Sequence, residues 1–270
     1  MASESVSADV PPTWDRYDRR ERLLRYAGLL VALVAFVASW RHLQVNYAYV
    51  STAPRELVDL FGRMYPPNVG YTTEILPPLI ETVHISILGT ALAIVLSLPV
   101  AFIGAENTAP NDAALLLGKF IISFTRSVNV IIWALIFVIV FGPGVLSGIL
   151  AIGVRSIGFT SKLIAEAIEE IDRGQVEAIE ATGASGLQTL IYGIVPQIKP
   201  AFISVSTYRW DINVRASTII GFVGAGGIGV ELTTSINYFD WQSVLTILLA
   251  ILGLVVISEV TSAYLRRKVT

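Results

Sequence analysis

Apolar positions along this chain come in blocks long enough to cross a bilayer, which takes about 20 residues as a helix. The clean blocks are Leu23–Trp40, Leu79–Ile103, Phe120–Phe141, Val145–Ile164 and Val244–Tyr264. A sixth stretch, Pro200–Val223, has the length but is interrupted at its middle by Arg209, Asp211, Asn213 and Arg215. Between the first two blocks, Thr52–Met64 puts Leu57, Leu60, Phe61 and Met64 on one face and stops before Pro66 and Pro67. That pattern predicts an amphipathic helix resting on the outer face of the protein or bilayer. The pattern as a whole predicts an all-α, polytopic membrane protein.

Charge decides how many blocks cross. Arginines cluster before the first block (Arg16, Arg19, Arg20, Arg22, Arg25), and Arg266, Arg267 and Lys268 follow the last. Basic flanks face the cytoplasm, so both termini are expected inside and the number of spans must be even. The polar stretch 200–223 therefore counts as a span, making six: 23–40, 79–103, 120–141, 145–164, 200–223 and 244–264. Residues 1–22 read as a cytoplasmic tail with a short surface helix. A cleaved leader is not expected, because the polar segment before the first block is long and no Ala-x-Ala site follows closely. Four crossings from the inside return the chain to the cytoplasm, so residues 165–196 form a large cytoplasmic loop.

Charges in the spans narrow the chemistry. A charged side chain at mid-bilayer costs about 2.5–3.5 kcal/mol on insertion scales, so the 200–223 helix must be enclosed by protein or line an aqueous path. An internal Arg–Asp pair holding helices together is the plain alternative. With two arginines to one aspartate, a role in a path is the favoured reading. Arg209 and Arg215 lie six apart and so point to different helix faces. We expect Arg215, with Asn213, Ser217 and Thr218, on the path, and Arg209 with Asp211 in a structural or dimer contact. Arg126 and Asn129 in the third block are further path candidates. Arg155 in the fourth is a further intramembrane candidate, and it is equally readable as structural or gating, paired with an acid such as Glu166.

Composition closes off other classes. Hydrophobic residues make up 54% of the 270 and charged residues 15%, against roughly 25% charged in soluble domains. There is no basic face interleaved with aromatics, so nucleic acid is not an expected partner. The chain has no cysteine and two histidines, His42 and His84, which do not make a ligand pair by spacing. No metal site, thiol chemistry or disulfide is expected. Gly224, Gly226, Gly227 and Gly229 fall in a run that matches G-x-G-x-x-G. No strand precedes it, so a dinucleotide site is rejected in favour of close packing or irregular backbone beside a cavity. No G-x-x-x-x-G-K-[ST] occurs, so the chain itself is not expected to bind or hydrolyse ATP.

The loop 165–196 carries the most specific pattern. Asp172 with Gln175 reads as a capping box, Gly183 as the left-handed stop of that helix, and Ser185 with Gln188 as the cap of a second. Small residues Ala178, Ala181 and Gly183 would admit a close partner. An ordinary surface helix-turn-helix is the bland alternative. Glu177, Ala178, Gly183 and Pro196 stand where the coupling loop of ATP-driven importers has Glu-Ala-Ala, three free positions, Gly, nine free positions and Ile-x-Leu-Pro. Ile179, Gly193 and Val195 depart from that pattern.

Together, EAIEATGAS, LIYGIVPQIKP, YRWDINVRAST and GFVGAGGIG resemble the permease subunit of phosphonate ABC importers, from the second span to the end. One departure is Val130 after Asn129, where relatives often carry Glu. The resemblance implies a type I ABC importer permease fold in the cell membrane, working as a homodimer around a central path. It implies ATPase subunits that bind ATP and Mg and take Glu177, Ala178, Glu180, Ala181, Gly183, Ala184 and Ser185 into a groove. It also implies an extracytoplasmic binding protein that delivers phosphonate, phosphate or phosphite, with no cofactor and no covalent chemistry in this chain. Pro196 and the four glycines would be structural or gating. A secondary anion transporter driven by an ion gradient is the competing reading.

Overall fold

The computed structural model describes residues 17, 19–43 and 46–268, and among them every regular element is helical. The helices are α1 (Arg19–His42), α2 (Tyr47–Met64), α3 (Thr72–Gly104), α4 (Asp112–Ser127), α5 (Val130–Phe141), α6 (Val145–Glu169), α7 (Arg173–Glu180), α8 (Gly186–Thr189), α9 (Val195–Ile220), α10 (Ile228–Asn237) and α11 (Trp241–Arg267). The chain divides into one unit ending at Asp59 and a second beginning at Leu60. The first unit holds α1 and most of α2. The predicted tail lies mostly outside the described residues, and Arg19, Arg20 and Arg22 belong to the opening turns of α1 itself. No residue of α1 is buried, as suits an apolar helix in lipid.

Four helical stretches are long and apolar enough to cross a membrane: Arg19–His42, Val69–Gly104, Val145–Glu169 and Trp241–Arg267. Two further candidates are bent pairs, which raises the count to at most six. The third block, expected as one helix over 120–141, is instead α4 and α5 meeting at 90°. The cause is local. Asn129 leaves the helical conformation and caps α5, its side chain accepting from the Ile131 N–H at 3.1 Å. The polar residues Arg126, Ser127 and Asn129 thus mark a corner. The second bent pair joins α9, through a turn at Gly221–Val223, to α10 at 42°.

In the second unit α3 packs along α6. Ile85 and Ile152 meet near one end with Ala134, Ala151 and Ile220, while Ala101, Ile164, Ile168 and Ile198 fill the other. Small polar residues let the backbones close in, as membrane helices require: Ser161 Oγ donates to the Ser97 carbonyl at 3.2 Å. A third cluster gathers Met64, Ile75, Ile228, Leu232, Val244 and Ile247. Met64 is the buried end of the predicted amphipathic helix, which starts earlier than expected, at Tyr47.

Candidate functional site

Helix α9 carries the polar residues that the pattern singled out, and its geometry sorts them onto two faces. Residues four apart share a face, and an offset of two residues moves to the opposite side. Arg209 and Asn213 turn toward α3 and α6, whereas Asp211 and Arg215 turn toward α11. On the first face, Asn213 donates to Thr90 Oγ1 and accepts from Ser156 Oγ, both at 2.9 Å. Arg209 Nη2 donates to the same Ser156 Oγ at 3.2 Å. On the second, Asp211 accepts from Ser258 Oγ at 2.9 Å and from Arg215. Arg215 also lies 3.8 Å from Glu259.

This corrects two expected pairings. The carboxylate of Asp211 serves Arg215 rather than Arg209, because 211 and 215 are i,i+4 neighbours and 209 and 211 are not. Glu166 pairs with Lys162 at 3.3 Å rather than with Arg155, again at i,i+4. Asn213 is tied down between α3 and α6, while Ser217 and Thr218 return their hydroxyls to the Val214 and Arg215 carbonyls. Asp211 is therefore a buried link between α9 and α11. Asp211→Asn is expected to lower stability by about 1–3 kcal/mol, because the half-exposed Arg215 loses the buried member of its pair. The check is the unfolding midpoint of the detergent-purified protein; an unchanged midpoint would remove this link from the account.

The remaining arginines converge. The guanidinium carbons of Arg126, Arg155 and Arg209 lie 4.9, 5.1 and 4.8 Å from the centre of the Phe159 ring. They come from α4, α6 and α9, and no two are more than about 10 Å apart by those distances. Arg209 is buried, Arg155 half-buried and Arg126 exposed. Among the described residues none of the three has a carboxylate ion-pair partner. Nε of Arg155 and Nε of Arg209 are buried with no hydrogen-bond acceptor. Repulsion between these two charges is about 1.7 kcal/mol at 10 Å and an effective dielectric of 20. Cation–π attraction to one ring offsets this only in part. The spacing of 126, 155 and 209 in the sequence carries no hint of this meeting, and Phe159 was not among the sequence candidates.

Arg126 also lines a cavity of about 290 Å³ with Lys119, Lys162, Glu106, Glu166 and Glu169. Lys119 donates to Glu106 at 2.8 Å and holds that carboxyl below the usual range. The cavity lies where α3 ends and α4 begins, at the end of the bundle that carries the loop 165–196.

In that loop α7 and α8 are separated by Gly183, which is left-handed at φ +82°. Asp172 caps α7 by accepting from the Gly174 N–H at 2.9 Å. The expected reciprocal bond from Gln175 is not the one made: the Asp172 N–H donates to Gln197 Oε1 at 2.9 Å, while Gln175 reaches the Asp172 carboxylate. Gln197 also donates to the Gly193 carbonyl, so it fastens the loop to the start of α9. The cap at Ser185 forms as expected, with Gln188 Oε1 accepting from the Ser185 N–H at 2.7 Å. Val176 packs inward beside Ile194, whereas Glu177, Ala178, Glu180, Ala181, Gly183 and Ser185 are exposed and Ala184 is half-buried. A π-helical turn at Leu190–Ile194 runs into α9, where Pro196 occupies the first turn.

Gly224, Gly226 and Gly227 all have positive φ and turn the chain from α9 into α10. Two side chains of α3 secure that turn, Glu81 accepting from the Gly227 N–H and Thr82 Oγ1 from the Ile228 N–H, each at 2.8 Å. Neither was signalled by the sequence, since each is an ordinary polar residue in an apolar run.

Comparison with known proteins bears on the whole arrangement. Residues 93–270 match the family model described as "Binding-protein-dependent transport system inner membrane component". The phosphite transport system permease protein PtxC of Stutzerimonas stutzeri is 39% identical over 93% of this chain and 94% of its own. The phosphate-import permease protein PhnE of Mycolicibacterium smegmatis is 38% identical over 78% of this chain and 40% of its own. Among solved structures, an inward-facing form of the MetNI methionine ABC transporter superposes with a TM-score of 0.65 at 23% identity, covering 75% of this chain and 99% of that one. The fold is that of the type I ABC importer permeases. With two thirds of its length matched, including α9 and the loop before it, the chain belongs to the family of binding-protein-dependent transport system inner membrane components.

Proposed function

We propose that this chain is the permease subunit of an ATP-driven importer for phosphonate, phosphite or phosphate. The observation that carries the proposal is a 39% identity, over nearly the whole of both chains, with a phosphite permease. Two permease subunits flank a central path, six spans each, with both termini in the cytoplasm. ATPase subunits, which bind the ATP and Mg, seat on the exposed face Glu177–Ser185. An extracytoplasmic binding protein delivers the anion. The bond from Gln197 to the loop, and the π-helical turn at Leu190–Ile194 where the loop runs into α9, connect a displaced loop directly to α9 and its arginines. π-helical turns recur at functional sites in helices.

Reconstitution tests this. Proteoliposomes carrying the permease with its ATPase, supplied with binding protein, are expected to take up phosphite or phosphate only when ATP is provided. Uptake by the permease alone, driven by an ion gradient, would instead establish a secondary transporter.

A further inference from the structure

We propose that Arg126, Arg155 and Arg209, arranged around Phe159, form an intramembrane site for a tetrahedral oxyanion. This rests on the importer reading; it keeps Arg126 as a path residue and puts Arg155 and Arg209 in the place expected for Arg215. Arg215 is occupied by Asp211 and Glu259. The three arginines at Phe159 have no carboxylate among the described residues, and two of them keep buried N–H donors without an acceptor.

The chemistry follows from those vacant donors. A ring that attracts guanidinium faces leaves the N–H groups, which lie in the guanidinium plane, free at the edges. A phosphonate, phosphite or phosphate presents several strong acceptor oxygens to such a fork, and its negative charge relieves the mutual repulsion of the arginines. Arg209 is held in place by Ser156, which is itself bonded to Asn213. Three helices contribute, so any relative movement of α4, α6 and α9 changes the distances between the three charges. A site that disperses when helices shift binds and then releases, as conduction requires. Arg126 belongs to this group and also lines the cavity with Lys119 and Lys162. Basic groups therefore continue from buried Arg209 through Arg155 and Arg126 toward the end of the bundle carrying the loop. There each lysine is paired with a glutamate, so an arriving anion finds weaker attraction than at the ring.

The test uses the assembled permease–ATPase complex in proteoliposomes with binding protein and ATP. Arg155→Gln and Arg209→Gln are expected to cut phosphite uptake per assembled complex by about tenfold, while binding-protein-stimulated ATP hydrolysis changes by less than about twofold. Arg209→Lys, which keeps the charge, is expected to restore part of the uptake. Arg126→Gln alters an exposed position, so it reads the site even if the interior variants assemble poorly. Line broadening of the phosphite 31P resonance by the nucleotide-free complex is expected to shrink in all three Gln variants. Uptake per assembled complex equal to wild type in all three overturns the site and leaves the importer reading standing. A wild-type complex that imports no phosphorus oxyanion, yet broadens the resonance in an Arg209-dependent way, sinks the importer reading and keeps the site.

Discussion

Gly229→Ala is expected to lower the thermal midpoint of the folded permease markedly. A Cβ at this position would lie 2.2 Å from the Thr218 carbonyl oxygen and 2.9 Å from the Gly221 Cα. Both are backbone atoms, so no side-chain rotation makes room. Either α10 moves away from α9, or the turn at Gly221–Val223 opens. Overpacked sites of this kind typically cost about 1–3 kcal/mol, and a backbone clash belongs at the upper end. The same movement would strain the bonds from Glu81 and Thr82 that hold the Gly224–Gly227 turn. Fluorescence-detected size exclusion after heating gives the midpoint directly. Gly253→Ala is the control, since nothing lies within 4 Å of its added Cβ; its stability should stay within about 0.5 kcal/mol of wild type, leaving the midpoint nearly unchanged. Equal midpoints for the two variants would show that α9 and α10 do not meet this closely.

Gly183→Trp is expected to separate ATP hydrolysis from uptake. Here the surroundings are open, with nothing within 4 Å of an added Cβ. The only intrinsic penalty is the left-handed backbone at φ +82°, about 1–2 kcal/mol for an ordinary residue. Such a cost leaves a folded, inserted permease. A groove closing over Glu177–Ser185 would, however, meet the indole where it needs a flat, small-residue surface. Uptake should fall by about tenfold or more with the ATPase still turning over. Gly183→Asn is the comparison, because asparagine tolerates the left-handed region and adds little bulk. Full transport by the Trp variant would end the docking role assigned to this surface.

How much of this was legible differs by element. The long apolar blocks were visible because lipid demands uninterrupted apolar runs, and α3, α6 and α11 extend the predicted spans without changing them. The 120–141 block failed as a single helix because hydropathy registers depth and not direction. Asn129 is a polar residue whose effect is to cap α5. The loop was well read at Gly183 and at Ser185 with Gln188, since caps and left-handed stops are local. At Asp172 the expected box failed because Gln197, 25 residues later, supplied the acceptor. On α9, i,i+4 spacing already contained the Asp211–Arg215 pair. Assigning Arg209 to Asp211 weighed proximity along the chain over helical periodicity.

The residues alone therefore determined the class of molecule. Runs of apolar side chains, the basic termini, the cap residues and the loop pattern all act through local or bilayer-scale physics, and each is written along the chain. Which charges meet was decided by tertiary structure. Arg126, Arg155 and Arg209 sit on three different helices, and their convergence on Phe159 depends on the 90° corner at Asn129 and the rotation of α9 against α6. The corner is set locally by the Asn129 cap, but the rotation of α9 against α6 is encoded in no one segment. It arises where small residues let backbones approach and buried polar groups, Ser156 and Asn213 among them, must find partners across helices.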